Sequence, residues 1–138
     1  MREILDEQGK DCKVQIYSTD LADDVIAIAR KGFYPPNIAA DVSALRLKMF
    51  FIREEKGYQV KKEIREMIIY ATQNIIKDPP FTKLDLLSCR NLLIYIESDI
   101  QSKLISTFHY AHNPGGILLL SSFESIGSAT VLFRPIGR

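Results

Sequence analysis

The chain contains no tryptophan, only two cysteines and no long apolar segment, and these absences exclude several classes of protein. Cys12 and Cys89 lie far apart in the sequence, without a CxxC or Cys/His pattern, so we expect two reduced, mostly buried thiols rather than a disulfide framework or a zinc site. No apolar run approaches the roughly 20 residues that cross a bilayer, and Met1–Ile4 lack the apolar region of a signal peptide. A cytoplasmic protein without membrane insertion is predicted.

The charges of the chain are nearly balanced. Eighteen Lys and Arg stand against seventeen Asp and Glu, for a formal net charge of +1, which is too small for long-range attraction to nucleic acid or anionic lipid. No nucleic-acid partner is therefore predicted. The 138 residues, 46% of them apolar, are typical of one ordinary globular domain or part of one.

The first third of the chain predicts a strand followed by a helix. Residues 13–17 alternate polar and apolar side chains and stop at the polar Ser18–Asp20, as a short strand entering a loop does. Leu21–Lys31 then carry acidic residues in the first turn and basic residues in the last, and Gly32 is a natural end for this helix. The buried face of the helix is expected to comprise Leu21, Val25, Ile28 and Ala29.

The middle of the chain predicts antiparallel structure. Residues 49–52 and 58–61 flank the turn-like Glu54–Gly57, and together they resemble a β-hairpin with a glycine-containing loop. Residues 67–76 are rich in β-branched and aromatic side chains, which favours at least one extended segment.

Two later apolar runs, Leu84–Cys89 and Ile117–Leu120, predict strands that are buried on both faces. Asp85 interrupts the first of them, and because an unpaired carboxylate is costly there, it requires a partner or solvent.

Between these strands the sequence predicts a helix that is capped by Ser98 or Asp99, runs through about residue 111 and is ended by the turn residues Asn113–Gly116. His109 and His112 on it are expected to be surface or interface histidines, not metal ligands. The buried stripe is expected to comprise Ile100, Leu104, Ile105 and Phe108.

Strands alternating with helices predict an α/β domain with a largely parallel sheet, in which ligands gather at the carboxyl ends of the strands. Polar clusters occupy three such ends, at Thr19–Asp20, Cys89–Asn91 and Ser122–Glu124. Asp20 stands where nucleotide-binding folds place an acid that accepts from both ribose hydroxyls. Taken alone, an Asp in front of a helix is more often a helix cap, so both readings of Asp20 are open at this point.

Several ordered blocks of the sequence resemble the CheR-type chemotaxis receptor glutamate methyltransferases, including versions fused to a methylesterase domain. The most specific block is an unusual residue order, Cys-Arg-Asn-Leu-Leu-Ile-Tyr, directly after an apolar strand. The blocks are Ile16–Leu21, Ala29–Tyr34, Gln73–Ile75, Asp78–Phe81, Leu84–Tyr95, Phe108–Ala111 and Asn113–Gly116.

The resemblance implies methyl transfer from S-adenosylmethionine to the side-chain carboxylates of receptor glutamates. It implies a partial Rossmann-like class I methyltransferase sheet, with a small antiparallel β-hairpin subdomain inserted at about residues 40–75. It also implies that the cytoplasmic domain of a chemotaxis receptor is the partner. A carboxylate is already ionised at neutral pH, so that this reaction needs no general base.

The resemblance assigns roles to single residues. Asp20 would hold the ribose, while Asn74 and the backbone of Ile75 would lie near the adenine. Arg90 and Asn91 would border the methionine part of the cofactor and the reaction centre.

Tyr95 would sit near the acceptor, and Arg90 and Tyr95 are suited to orient reactants, not to remove a proton. Structural alternatives are open for the same residues. Arg90 could pair with Asp85 or Glu124, Asn91 could cap the next helix, and Tyr95 could be a half-buried core aromatic.

The sequence departs from the family pattern at both edges. The first strand, the glycine-rich turn and the N-terminal helical domain of the family have no counterpart in it, so residues 1–138 are expected to be a partial methyltransferase domain. We expect the isolated chain to bind S-adenosylmethionine weakly or not at all and to be inactive. If it folds by itself, we expect it to associate with another copy through exposed sheet edges or to repair the strand order. The alternative is a degenerate, non-catalytic module that binds other proteins, and an unrelated α/β nucleotide-binding domain is a third reading.

Overall fold

The computed structural model describes residues 1–127 and 130–136, and it divides the chain into two compact units, 1–73 and 74–138. Each unit contains a pair of parallel strands and at least one α-helix, which confirms the predicted α/β class and is consistent with a partial Rossmann-like methyltransferase fold. Among the described residues, no helix combines the length and hydrophobicity needed to cross a membrane.

The first unit is built from one parallel strand pair and one antiparallel sheet. Its elements in chain order are α1 (Arg2–Glu7), β1 (Ile16–Asp20), α2 (Asp23–Lys31), β2 (Phe33–Tyr34), a 3₁₀ helix (Pro36–Ala40), α3 (Ala44–Phe50), β3 (Phe51–Glu54), β4 (Gly57–Val60), α4 (Lys62–Arg65) and β5 (Ile68–Thr72). Strands β1 and β5 run parallel, and their pairing ends with Asp20 beside Thr72. The predicted strand stopped at residue 17, but β5 offers a partner to every residue through Asp20, so the strand continues to that residue.

Helix α2 forms where it was predicted and ends at Gly32, whose φ of 64° is the left-handed conformation that glycine adopts at low cost. The predicted buried face is wrong. Ile26 is only 4% exposed, whereas Leu21 is 68% exposed and Val25 and Ile28 also face solvent. Apolar residues lie on more than one side of this helix, and its packing against β1 and β5, which residue spacing does not reveal, decides which side is buried.

The predicted hairpin is confirmed as strands β3 and β4, which pair antiparallel from Phe51 beside Val60 to Glu54 beside Gly57. The first residues of its predicted range belong instead to helix α3, whose first turn is capped by the Ser43 side chain. The short strand β2 adds to the other edge of β4, so the antiparallel sheet begins before residue 40. Strand β5 lies inside the range predicted for this subdomain but pairs with β1.

The second unit holds a parallel pair covered by a helix. Its elements are β6 (Leu84–Ser88), a 3₁₀ helix (Leu93–Tyr95), α5 (Ser98–Ala111) and β7 (His112–Leu119). Helix α5 has the predicted extent, with Glu97 in the capping position instead of Ser98 or Asp99. The predicted turn at 113–116 is part of β7, where the pairing with β6 shifts register between Leu84 and Leu86, so that the irregular Pro-Gly-Gly segment is accommodated as a bulge inside the strand.

The core of the second unit lies between α5 and one face of the strand pair. Leu104, Ile105 and Phe108 are buried as predicted, together with Leu93 and Cys89. Leu87 and Leu118 of the two strands pack against this cluster. The expectation that both strand faces are buried is wrong, because side chains alternate along a strand and the opposite face, with Leu86 48% exposed and Ile117 and Leu119 similar, is not covered by α5.

The two cysteines have different environments. Cys89 is buried in the core of the second unit, as expected, whereas Cys12 is exposed. The prediction of mostly buried thiols therefore holds for Cys89 and is wrong for Cys12, which lies in the irregular segment before β1.

Candidate functional site

Asp20 is the last residue of β1 and is exposed at the carboxyl end of the parallel pair. Its Oδ1 accepts a hydrogen bond from the backbone nitrogen of Ala22 at 2.9 Å, which forms a tight turn into α2. Its backbone carbonyl accepts from the amide of Gln73 at 2.9 Å. Asp20 therefore accepts a backbone hydrogen bond in front of α2, as a helix cap would. Among the described residues nothing donates to its second carboxylate oxygen, which is left for a ligand.

Thr72 ends β5 directly beside Asp20 in the pairing register. Its hydroxyl donates a hydrogen bond to Oδ1 of Asp23 in the first turn of α2. Sequence reasoning missed this residue, because the pairing of β5 with β1 spans about fifty positions and leaves no local signal. The carboxyl edge of the pair is therefore polar on both strands.

Asn74 and Ile75, the predicted adenine neighbours, begin the second unit. The Asn74 side-chain oxygen accepts hydrogen bonds from the amides of Ile76 at 3.0 Å and Lys77 at 3.2 Å, and its backbone amide donates to the carboxylate of Asp78 at 2.8 Å. Asn74 thus holds a compact turn through its side chain. Ile75 packs against the core of the second unit, which fixes the backbone of this turn.

Arg90, Asn91 and Tyr95 lie in the segment that follows β6. Asn91 adopts a φ of 60°, a left-handed conformation that Asn tolerates better than most residues. Tyr95 is 81% exposed, so the alternative of a half-buried core aromatic is wrong. Asn91 is not the cap of the following 3₁₀ helix either, because Leu92 holds that position.

The ion pairs considered for Arg90 do not form. Within the part of the chain that the structure describes, its guanidinium has no carboxylate within ion-pair distance. Asp85 instead accepts from the Asn113 side chain at 2.9 Å, and Glu124 is occupied by other donors. Arg90 is exposed and keeps its donors for another molecule.

Glu124 is the residue of this region whose role the sequence did not indicate. Its carboxylate accepts from the backbone amides of Asn91 at 2.7 Å, Leu92 at 3.1 Å and Leu93 at 2.7 Å, and from the hydroxyl of Ser121 at 2.7 Å. Partial burial alone raises the pKa of Glu124, but the hydrogen bonds from Ser121 and the amides outweigh it and lower the pKa to about 2. The only signal in the sequence was its place in a polar cluster after a strand.

The comparisons with known proteins agree with the fold. Residues 2–138 match the family described as CheR methyltransferase, SAM binding domain. The chain belongs to this family.

The relatives include named chemotaxis methyltransferases. The chain is 32% identical over 127 residues to chemotaxis protein methyltransferase 1 of Vibrio cholerae, covering 89% of this chain and 46% of that protein. It is 30% identical over 133 residues to a probable chemotaxis protein methyltransferase of Rhizobium etli, covering 92% and 50%. It is also 38% identical over 113 residues to an uncharacterized 104.1 kDa protein of Rhodobacter capsulatus, covering 82% and 12%. The chain therefore spans half or less of the length of these relatives.

Membership of this family confirms S-adenosylmethionine as the cofactor, and the chemistry of the exposed side chains fits it. The cofactor carries two neighbouring ribose hydroxyls, which a carboxylate accepts from, and the free oxygen of Asp20 is such an acceptor. The cofactor also carries a carboxylate, and a guanidinium binds a carboxylate through two parallel hydrogen bonds, that is, in a bidentate way. Within the described residues, the guanidinium of Arg90 has no hydrogen-bond partner and is exposed.

Proposed function

We propose that the chain is the cofactor-binding part of a methyltransferase that esterifies glutamate side chains of chemotaxis receptors. The observation that carries this proposal is the family match, which extends over residues 2–138. The chemotaxis methyltransferases among the relatives align with about nine tenths of this chain. The receptor as the acceptor is part of the proposal, and the family resemblance together with the word chemotaxis in the names of these relatives supports it.

The roles of the single residues are part of the proposal. Asp20 binds the ribose hydroxyls through its free carboxylate oxygen. Asn74 and the backbone of Ile75 contact the adenine, and the turn that Asn74 closes with Asp78 keeps that backbone in place. Arg90 and Asn91 bind the methionine part.

The chemistry asks little of the protein beyond positioning. When bound, S-adenosylmethionine supplies a methyl group on a positively charged sulfur. The acceptor carboxylate is ionised at neutral pH, so no residue has to remove a proton from it. Arg90 and the exposed hydroxyl of Tyr95 orient the acceptor by hydrogen bonds, and orientation of this kind supplies up to about 7–11 kcal/mol of the barrier.

Cofactor binding is tested first, with the product S-adenosylhomocysteine as the probe. Nuclear magnetic resonance titration of the 138-residue chain detects even weak binding. We expect Asp20→Asn to weaken binding about tenfold, because a carboxylate acceptor of two hydroxyls is lost. Asp24→Asn, on the exposed side of α2, is the matched control and is expected to leave binding unchanged. Equal behaviour of the two variants contradicts the role of Asp20.

Methyl transfer is tested with labelled S-adenosylmethionine and the cytoplasmic domain of a chemotaxis receptor. The assay uses this chain and any longer natural protein that contains it. With the longer protein, label is expected as a base-labile ester on receptor glutamates, whereas the 138-residue chain alone is expected to be inactive. In the longer protein, Arg90→Ala is expected to abolish the label, and Arg134→Ala, at an exposed position, is expected to leave it unchanged. Receptor binding without transfer in every form of the protein supports the non-catalytic alternative instead.

The proposed acceptor places the protein in the cytoplasm, where the methylated part of the receptor lies. Self-association remains part of the proposal for the isolated chain. The half-exposed apolar face with Leu86, Ile117 and Leu119 supports it, because such faces associate in water. Light scattering that finds only monomers at high protein concentration contradicts it.

A further inference from the structure

Glu124 binds three consecutive backbone amides of the segment that carries Arg90. The nitrogens of Asn91, Leu92 and Leu93 all lie within 3.1 Å of its carboxylate oxygens. They converge because Asn91 is left-handed and Leu92 is right-handed in its backbone angles, an alternation that turns successive N–H groups toward one point and makes an anion-binding concavity. A carboxylate of the chain itself fills this concavity.

Hydrogen bonds with Ser121 hold the side chain and backbone of Glu124 in place. The hydroxyl of Ser121 donates to its Oε1 at 2.7 Å and the amide of Ser121 donates to the same atom at 3.2 Å. The amide of Glu124 returns a hydrogen bond to the carbonyl of Ser121 at 3.1 Å. Ser121 is buried just beyond β7, so the carboxylate is attached to the end of a strand that neighbours β6.

The segment from Cys89 to Tyr95 is held by two buried residues, and its other residues are exposed. Cys89 and Leu93 are buried in the core, Leu93 being only 2% exposed, whereas Arg90 and Tyr95 point into solvent. No side-chain partner among the described residues holds Arg90. The direction of its side chain therefore depends on the backbone that Glu124 holds.

We propose that Glu124 is the positioning residue that sets the backbone of Asn91–Leu93 and, through it, the place of Arg90. This inference rests on the role of Arg90 in the proposed function and adds to it a residue outside the predicted site. Glu124 acts as a permanent hydrogen-bond acceptor and takes no part in proton or group transfer. Its side chain is not a catalytic group, since it is fully occupied by the chain itself.

Glu124→Gln is the informative variant because it keeps the size of the side chain. Both carboxylate oxygens are used, Oε1 by Asn91 and Ser121 and Oε2 by Leu92 and Leu93. In the Gln variant an NH₂ group replaces one of these oxygens, and because it donates hydrogen bonds it cannot accept them from the amides that face it. Glu97→Gln is the matched control. Glu97 is exposed and follows shortly after Leu93 in the sequence, and its side chain makes no hydrogen bond within the described part of the chain.

The first measurement is amide hydrogen exchange in the 138-residue chain without ligand. Glu124→Gln is expected to speed exchange at Asn91–Leu93 by at least about tenfold, with Leu104 and Ile105 of α5 within about twofold of the parent. Ser121→Ala, which removes one donor to the same carboxylate, is expected to give a smaller change at the same amides. Unchanged amides at Asn91–Leu93, or an equal rise at every core amide, overturns the proposal.

The second measurement asks whether Glu124 acts through Arg90. Binding of S-adenosylhomocysteine is compared in the parent, Arg90→Ala, Glu124→Gln and the double variant. Arg90→Ala is expected to weaken binding about tenfold in the parent and less than about twofold in the Glu124→Gln background, because residues that act together are not additive. A full effect of Arg90→Ala in both backgrounds overturns the positioning role. If Arg90→Ala has no effect even in the parent, the role proposed for Arg90 in cofactor binding is wrong. The proposed action of Glu124 through Arg90 is then wrong as well. The hydrogen-exchange measurement still decides separately whether Glu124 orders Asn91–Leu93.

Discussion

Asp85 of β6 and Asn113 of β7 are joined by a hydrogen bond of 2.9 Å between the Asn113 side-chain nitrogen and Oδ1 of Asp85. The same nitrogen donates to the backbone carbonyl of Lys83 at 3.1 Å. Lys83 has a left-handed φ of 58°, so Asn113 also supports the unusual backbone of the residue directly before β6. The sequence predicted either a partner or a solvent contact for Asp85, and the structure gives it a partner in Asn113.

Asn113→Ala is expected to lower the free energy of unfolding by about 1 kcal/mol, because two hydrogen bonds at a partly exposed site are lost. Urea unfolding followed by circular dichroism measures the change. Asn37→Ala is the control, since Asn37 is exposed and no side-chain hydrogen bond joins it to the described residues. Equal stability of Asn113→Ala and Asn37→Ala contradicts a stabilising role for this contact.

Gly57 is required by a close approach between two strands of the antiparallel sheet. A Cβ atom at this position would lie 2.1 Å from the backbone oxygen of Tyr34 and 2.9 Å from the ring of Phe33. Because the first of these contacts is with backbone, β2 and β4 have to separate. We expect Gly57→Ala to lower the free energy of unfolding by about 2–3 kcal/mol.

The control for this prediction is Gly9→Ala. Gly9 has a φ of 64° and no atom within 4 Å of an added Cβ, so that only the backbone penalty of about 1 kcal/mol applies. A Gly57→Ala variant no less stable than Gly9→Ala in urea unfolding shows that the sheet yields without strain.

Local patterns predicted those parts of the fold whose cause is local. Helix α5 has its predicted buried stripe, because its apolar residues, apart from the exposed Tyr110, recur on one side of it. The hairpin of β3 and β4 follows from a glycine-containing turn between two apolar runs. The face of α2 was predicted wrongly, because Val25 and Ile26 are both apolar and only the packing against β1 and β5 chooses Ile26.

The candidate site divides in the same way. The strand-end positions of Asp20 and Arg90 follow from the order of elements and were predicted. The function of Glu124 was not, because it binds amides that lie 31 to 33 positions earlier in the chain, and no local motif marks such a contact. The left-handed backbone of Asn91, which lets the amides converge, is likewise invisible in the sequence.

Glu124 is expected to make stability depend on acid pH. Its pKa in the folded chain is about 2 and that of an unfolded glutamate is about 4.3. A lowered folded pKa stabilises the fold fully above the unfolded value, and this contribution is lost as the pH falls from about 4.3 toward about 2. The loss is expected to be about 1–2 kcal/mol, below the full value for such a shift because the carboxylate is partly exposed.

The measurement compares urea unfolding of the parent and Glu124→Gln from neutral to about pH 3. The difference in stability between them is expected to shrink as the pH falls, since only the parent loses an ionised acceptor. Glu3, whose pKa is lowered by its hydrogen bond with Arg46, is present in both proteins and cancels. A stability difference independent of pH contradicts the ionised state of Glu124 as the source.

The two thiols are expected to differ in reactivity. Burial raises the pKa of the Cys89 thiol to about 11, and the nearby Glu124 carboxylate adds to the rise, so that the reactive thiolate of Cys89 is scarce near neutral pH. Cys12 is exposed. At about pH 8, a disulfide reagent is expected to modify Cys12 at least about 100-fold faster than Cys89 in the folded chain, with both thiols equally fast in concentrated urea.

The Cys12→Ser variant leaves Cys89 as the one thiol that can react. Adding Glu124→Gln to this variant is expected to speed the modification of Cys89, because the loosened segment beside Cys89 opens more often. Fast modification of Cys89 in the folded Cys12→Ser chain contradicts its burial beneath α5.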